Sequence, residues 1–283
     1  MKYIVLLFIT QALLLALGNE GEEAFKQGID ANKQKNLKQA LELFNKSCDL
    51  GNANGCFALG AMQIKGQGVG KDDTAAKKFF NKSCDLGNAN GCFALATMYI
   101  QKQGDSKDFA TGMKLLNKSC ELGNAHGCYT IGLLYKKGHG IRQDYTTAKK
   151  FFNKACKLDD ADGCYTLGAM YDKGKEIPQN YIAAEKLYRK ACSLGDSKGC
   201  FTLGSMYYHG KGCRQDFDIA KEMFGKACSL GFGEGCYNLA AMHMNGDGIR
   251  KDIYGAKDLY SKACKLGYEN GCKQYIGLGV KGF

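Results

Sequence analysis

Tryptophan is absent from this chain of 283 residues, proline occurs once (Pro178) and histidine four times. With so little proline, helices carry few internal breaks, and the turns fall to the 38 glycines. His126, His139, His209 and His243 form no His-x-His or His-Glu-x-x-His group, so neither a metal site nor a cofactor is expected. Acidic residues are in deficit: 28 Asp and Glu stand against 39 Lys and Arg, a formal net charge of +11. A basic balance can suit nucleic acid, but exposed aromatics are not interleaved with these charges, so no nucleic-acid partner is expected. Beyond residue 18 no run is apolar enough to cross a bilayer.

Cysteine, by contrast, is plentiful. Fourteen of the fifteen fall in seven Cys-x7-Cys pairs that recur every 36 residues: Cys48/Cys56, Cys84/Cys92, Cys120/Cys128, Cys156/Cys164, Cys192/Cys200, Cys228/Cys236 and Cys264/Cys272. Their chemistry depends on compartment. Residues 1–18 read as a signal peptide, with Lys2, an apolar run from Ile4 to Leu17, and the small residues Ala16 and Gly18 before cleavage near Asn19. A retained anchor helix is the alternative, for which the run is short. Export makes the chain secreted or periplasmic, with no stable membrane insertion after cleavage. Paired cysteines in an oxidising compartment predict local disulfides, and x7 is too wide for the usual zinc spacing.

A strict 36-residue period predicts an all-α fold, an α/α solenoid of helical hairpins, each stapled by a local disulfide. The reading is a helical hairpin at 19–51, six repeats over 52–267 and a C-terminal cap at 268–283. In each repeat the first helix carries apolar columns led by Leu59 and Met62, three apart on one face. The small column beginning at Gly60 implies a neighbouring backbone passing close. A glycine-rich turn follows, with Asp72 as a candidate cap for the second helix. That helix pairs a small column (Ala76) with a bulky one (Phe80). A lysine two residues before each first cysteine (Lys46, Lys82 and onward) reads as a solvated row compensating the helix dipole.

Chemical motifs are few. Gly195-Asp-Ser197-Lys-Gly199 has the spacing of a nucleophile elbow, but lies in a stapled turn between helices, not after a strand. Gly66 to Lys71 is too short for a phosphate loop and continues into Asp72. Cys213 is left over. Its sister positions are mostly aliphatic, which favours a small buried residue; a free thiol for intermolecular pairing is the other reading.

The unit Gly-Cys-Phe/Tyr-x-Leu-Gly-x-Met-Tyr, seen in Gly163 to Tyr171, with Lys154-Ala-Cys-Lys-Leu158, resembles Sel1-like repeats, relatives of the tetratricopeptide repeat. With the leader and staples, the chain is similar to the Helicobacter-type cysteine-rich secreted proteins. That resemblance implies slow hydrolysis of penicillin- and cephalosporin-type compounds, or a secreted factor that meets host proteins. No Ser-x-x-Lys, Ser-Asp-Asn, Lys-Thr-Gly or His-x-His-x-Asp occurs, so no catalytic residue can be assigned.

Changing side chains on a constant frame suit a binding surface. The first helices are expected to line a concave face with Thr130, Thr166, Lys173, Thr202, His209, Asn238 and Asn245 as binding residues. The expected ligand is an extended peptide, a protein or a peptidoglycan-like or β-lactam compound. The expected protein is a monomeric binding scaffold; weak β-lactamase activity is the alternative.

Overall fold

A computed structural model describes residues 19–101 and 106–280. The signal-peptide reading and the last three residues of the cap lie outside them. The chain divides into two compact units, residues 1–131 and 132–283. The first holds α1 (residues 19–33), α2 (Leu37–Asp49), α3 (Ala53–Lys65), α4 (Asp73–Asp85), α5 (Ala89–Ile100), α6 (Ser106–Glu121) and the start of α7 (Ala125–Lys137). The second holds the rest of α7, then α8 (Tyr145–Lys157), α9 (Ala161–Lys173), α10 (Tyr181–Ser193), α11 (Ser197–His209), α12 (Phe217–Ser229), α13 (Gly233–Asn245), α14 (Ile253–Lys265) and α15 (Glu269–Val280). No strand occurs among the described residues, and the fold class is the α/α solenoid.

Local chemistry sets the helix ends. Asp72 accepts from the backbone N–H groups of Thr74 and Ala75, capping α4 as its side chain suggests. Asp144, Asn180, Asp216 and Asp252 do the same for α8, α10, α12 and α14. The first helix of a hairpin stops where a glycine turns left-handed, as at Gly66 (φ 64°) and Gly210 (φ 68°).

The bulky column of the second helices is the core. Phe80, Phe152, Tyr188, Phe224 and Tyr260 are all at most 5% exposed. Each of four such rings meets an aromatic residue of the preceding first helix in a tilted pair: Phe57–Phe80 (5.7 Å), Tyr165–Tyr188 (5.5 Å), Phe201–Phe224 (5.7 Å) and Tyr237–Tyr260 (5.2 Å). The reason for the glycine column differs from expectation. A Cβ on Gly60 would meet the Phe80 ring at 2.6 Å, and one on Gly204 the Phe224 ring at 2.8 Å. The nearest neighbour is the edge of a ring, with backbone behind it at Gly204, where the Ala220 carbonyl would lie 3.3 Å away.

All seven cysteine pairs are disulfides: Cys48–Cys56, Cys84–Cys92, Cys120–Cys128, Cys156–Cys164, Cys192–Cys200, Cys228–Cys236 and Cys264–Cys272. Their Cα–Cα distances run from 4.5 to 4.8 Å, inside the range a disulfide requires. Each joins the end of a second helix to the first turn of the next hairpin.

Burial adds depth to the disulfides read from the sequence. Cys56, Cys92, Cys128, Cys164, Cys200 and Cys236 are 0% exposed, so none of them presents a surface to a ligand. Each sits where the first turn of a new helix packs onto the end of the preceding one, with Sγ facing its partner's carbonyl. Cys56 lies 3.7 Å from the Cys48 oxygen, Cys92 3.7 Å from that of Cys84, and Cys128 3.6 Å from that of Cys120. Cys164 and Cys200 repeat the arrangement at 3.7 and 3.6 Å from Cys156 and Cys192. The staples are core residues with a covalent role. Packing under them is tight: a Cβ on Gly55 would fall 2.6 Å from Ser47 Oγ. In the first unit these serines are buried donors. Ser47, Ser83 and Ser119 give their hydroxyls to the carbonyls of Gly21, Ala53 and Ala89.

The lysine row is more than a solvated edge. Lys82 pairs with Asp49 (3.3 Å) and Lys118 with Asp85 (3.4 Å) in the first unit, and Lys190 with Asp159 (2.9 Å) in the second. These pairs link consecutive hairpins, but their exposure limits each to about 0–1 kcal/mol. Cys213 is half-buried and packs at the edge of the core cluster around Leu203 and Met206, with Sγ toward the Met206 carbonyl at 3.6 Å. Burial pushes its thiol above the usual range, away from a reactive thiolate.

Candidate functional site

In the second unit, the ends of α11 and the middle of α13 flank a cleft of about 200 Å³ lined by Tyr208, His209, Phe224, Asn238 and Ala241. Its origin is a break in a repeated column. The position of Tyr208 is Asp172 one repeat earlier and Met244 one repeat later. Asp172 is held by Lys211 at 2.8 Å, whereas Tyr208 reaches forward to a turn. Its hydroxyl donates to Asp247 Oδ2 at 2.7 Å, and the same oxygen accepts from Asn245 Nδ2 at 3.1 Å. That hydrogen bond first, and burial second, raise the Tyr208 phenol.

Aromatic packing holds the ring in place. Tyr208 lies edge-on to Phe217 (5.4 Å) and to His209 (5.0 Å), with Phe224 behind it (6.3 Å). Phe224, 1% exposed, is the floor. The His209 imidazole stands exposed at the rim, opposite the half-buried Asn238. The cleft therefore offers an imidazole, an amide and a flat apolar wall. These groups suit hydrogen bonding to a backbone amide with an apolar side chain seated beneath it. Tyr208 is committed as a donor to a carboxylate and is not poised as a nucleophile. No cluster of three or more His, Cys, Asp or Glu able to hold a metal occurs among the described residues.

Of the seven binding residues read from the sequence, the structure brings His209 and Asn238 into one cleft, with Asn245 joined to it through Asp247. Thr166 and Thr202 are half-buried and Lys173 is exposed at the end of α9; none of them lines the cleft. Thr130 lies in the first unit, where its hydroxyl donates to the His126 carbonyl of its own helix (2.8 Å). Cys200 and Cys236, which open α11 and α13 on either side, stay beneath the surface and do not line it. Tyr208, Phe224 and Asp247 were not anticipated. The signal available for Tyr208 was its column, which runs Ile64, Ile100, Lys136, Asp172, Tyr208, Met244 and so changes character along the array.

Ser197, in the nucleophile-elbow spacing, is the first residue of α11; Asp196 caps that helix at the Gly199 N–H. The segment is a helix-to-helix turn. No described helix is long and apolar enough to cross a membrane.

The Sel1 repeat pattern matches residues 14–52, 53–88, 89–124, 125–160, 161–196, 197–232 and 233–268. In Helicobacter pylori, the protein named "Putative beta-lactamase HcpC" is 46% identical over 44 residues, 16% of this chain and 15% of that protein. "Beta-lactamase HcpA" is 40% identical over 53 residues, 19% of this chain and 21% of its own length. The chain thus matches only about a fifth or less of either curated relative. Among solved structures, the protective antigen c5321 of uropathogenic Escherichia coli superposes with a TM-score of 0.80 at 26% identity, covering 95% of this chain and 60% of that one. A Sel1 repeat protein of Oxalobacter formigenes gives 0.71 at 25% identity, covering 85% of this chain and 99% of its own.

Proposed function

Because the chain belongs to the Sel1 repeat family, we propose that it is a binding scaffold acting outside the cytoplasm, secreted or periplasmic, that holds an extended peptide across the first helices at the His209–Asn238 cleft. Seven disulfides suit a chain that folds under oxidising conditions. The observation that carries the reading is the cleft itself: an exposed imidazole and a half-buried amide over the buried Phe224 ring, braced by the Tyr208–Asp247 bond. A peptide laid there exchanges backbone hydrogen bonds with the rim and buries one side chain against the floor.

The β-lactamase names of the two Helicobacter proteins are the support for a hydrolytic reading, and no nucleophile–base pair at the cleft adds to it. Selection of a random-sequence peptide library on the oxidised protein tests the binding reading. Peptides enriched on the native chain should bind the His209→Ala/Asn238→Ala variant at least about tenfold more weakly. Equal binding by both proteins, or no enrichment, overturns it. Turnover of nitrocefin by the native protein, lost in the same variant, would replace binding by hydrolysis.

A further inference from the structure

On the second-helix side of the same unit, α8 and α10 flank a groove of about 390 Å³ over α9, lined by Lys149, Lys150, Asn153, Tyr171, Lys186 and Leu187 among others. We propose that this groove binds a phosphomonoester carried on an apolar body. It shares no lining residue with the His209–Asn238 cleft, so the two proposals stand or fall separately.

Charge is the first ground. Three lysines from two helices line one concavity, and none makes an ion pair among the described residues. Some other lysines of the unit do find a carboxylate: Lys136 with Glu176, Lys190 with Asp159, Lys211 with Asp172 and Lys221 with Asp218. Asp144, within the field of Lys150, is occupied in capping α8, and its carboxyl is lowered chiefly by the Thr147 hydroxyl. Like charges gathered in a partly enclosed site raise the local potential for an anion.

Contrast along the repeat is the second ground. One repeat later, the counterparts of Lys149 and Asn153 are Glu185 and Arg189. There Arg189 pairs with Glu185 (2.6 Å), which also accepts from the Tyr207 hydroxyl (3.0 Å), so that register neutralises itself. Two repeats earlier, in the first unit, the basic set returns residue for residue as Lys77, Lys78, Asn81, Tyr99 and Lys114. Lys77 sits 4.2 Å over the Tyr99 ring, as Lys149 sits 5.0 Å over Tyr171. A carboxylate touches that earlier set, since Asn81 donates to Asp85 at 2.9 Å, and the position of Asp85 is Lys157 in the later one. The second-unit groove is therefore the stronger anion site.

Shape and chemistry choose the ligand. Lysines are point charges that suit a dianion with several terminal oxygens, whereas a paired carboxylate would call for the fork of arginine. The floor is apolar, formed by Leu167 (2% exposed) with Ala183 and Leu187 beside it. An ester with a hydrocarbon or other apolar body fills it. The volume lies within the usual range for small-ligand sites, about 300–1,000 Å³.

The test is titration of the oxidised full-length protein with octyl phosphate below its aggregation limit, followed by calorimetry and by amide shifts. Saturable binding with shifts over residues 149–153 and 183–187 is expected, and Lys150→Ala and Lys186→Ala should each weaken it roughly tenfold. Lys186→Arg, which keeps the charge, should recover part of the loss, and Lys221→Ala should change nothing. Octyl glucoside should not bind, and inorganic phosphate should bind more weakly than the ester. Absence of octyl phosphate binding, binding indifferent to Lys150 and Lys186, or equal affinity for inorganic phosphate overturns the proposal. Vesicles containing phosphatidic acid separate the sources: binding to both vesicle and free ester supports a headgroup as the natural ligand, binding to the free ester alone supports a soluble one. Binding to vesicles alone overturns the groove as the site.

Discussion

Tyr208 donates its hydroxyl to Asp247 across 39 residues of sequence, joining the end of one first helix to the turn of the next hairpin. The same register holds Lys136 against Glu176 and Asp172 against Lys211, so consecutive hairpins are latched there by different chemistries. Tyr208→Phe should therefore cost about 1 kcal/mol in denaturant unfolding, the usual net value of one hydrogen bond. It should also loosen the wall of the His209–Asn238 cleft. An unchanged midpoint would mean the bond is replaced by water.

Staples should yield to reductant in order. Twelve of the paired cysteines are at most 4% exposed, from Cys48 through Cys236, whereas Cys264 and Cys272 are half-buried. Thiolate attack needs access to sulfur. Mild reduction followed by alkylation and mass mapping should label Cys264 and Cys272 first, with Cys213 as the background thiol. Early labelling of Cys56, Cys92, Cys128, Cys164 or Cys200 would contradict their burial. Removing one buried staple, as in Cys156→Ala/Cys164→Ala, should lower stability by up to about 2.5 kcal/mol, the chain-entropy value for so short a loop.

Glycine positions should separate into two classes. Gly204→Ala places its methyl group 2.8 Å from the Phe224 ring and should cost about 1–3 kcal/mol through overpacking. Gly225→Ala, in the interior of α12, meets nothing nearer than Leu239 at 3.9 Å. That change should raise the unfolding midpoint, since alanine is favoured over glycine in a helix by about 1 kcal/mol. Thermal unfolding of the two variants against the native chain decides it.

Buried phenols should make the fold sensitive to alkali. Burial, with Tyr237 adding to it, pushes Tyr260 up to about 12, and burial first and Asp172 second raise Tyr188 further. A raised phenol keeps its proton in the folded chain after the unfolded chain has lost it. Its contribution to stability is complete below the ordinary phenol value of about 10 and is lost as pH rises through the folded value. Melting temperature should fall steadily over that window, and Tyr260→Phe should flatten part of the decline. Phenolate absorbance should show late titration that this variant reduces.

Period, staples and caps were all readable in the chain, because each is a local matter. A disulfide closing so short a loop, an aspartate two residues ahead of the backbone N–H it accepts from, and a glycine turning left-handed need no distant partner. Two of the seven expected binding residues, His209 and Asn238, share a cleft, since the repeat puts successive first helices side by side. How deep each staple lies, and the choice among equivalent columns, were not readable. Cys56 and its sisters are sealed because the next helix packs down on them, and Gly60 is small because the Phe80 ring lies on it. Tyr208 is a wall because Asp247 accepts its hydrogen bond, and Lys149, Lys150 and Lys186 share a groove because α8 and α10 flank it, while Glu185 is taken up by Arg189 and Tyr207. Those outcomes depend on which side chain of one hairpin meets which of the next. A repeat makes many positions alike in sequence, and only packing between neighbours tells them apart.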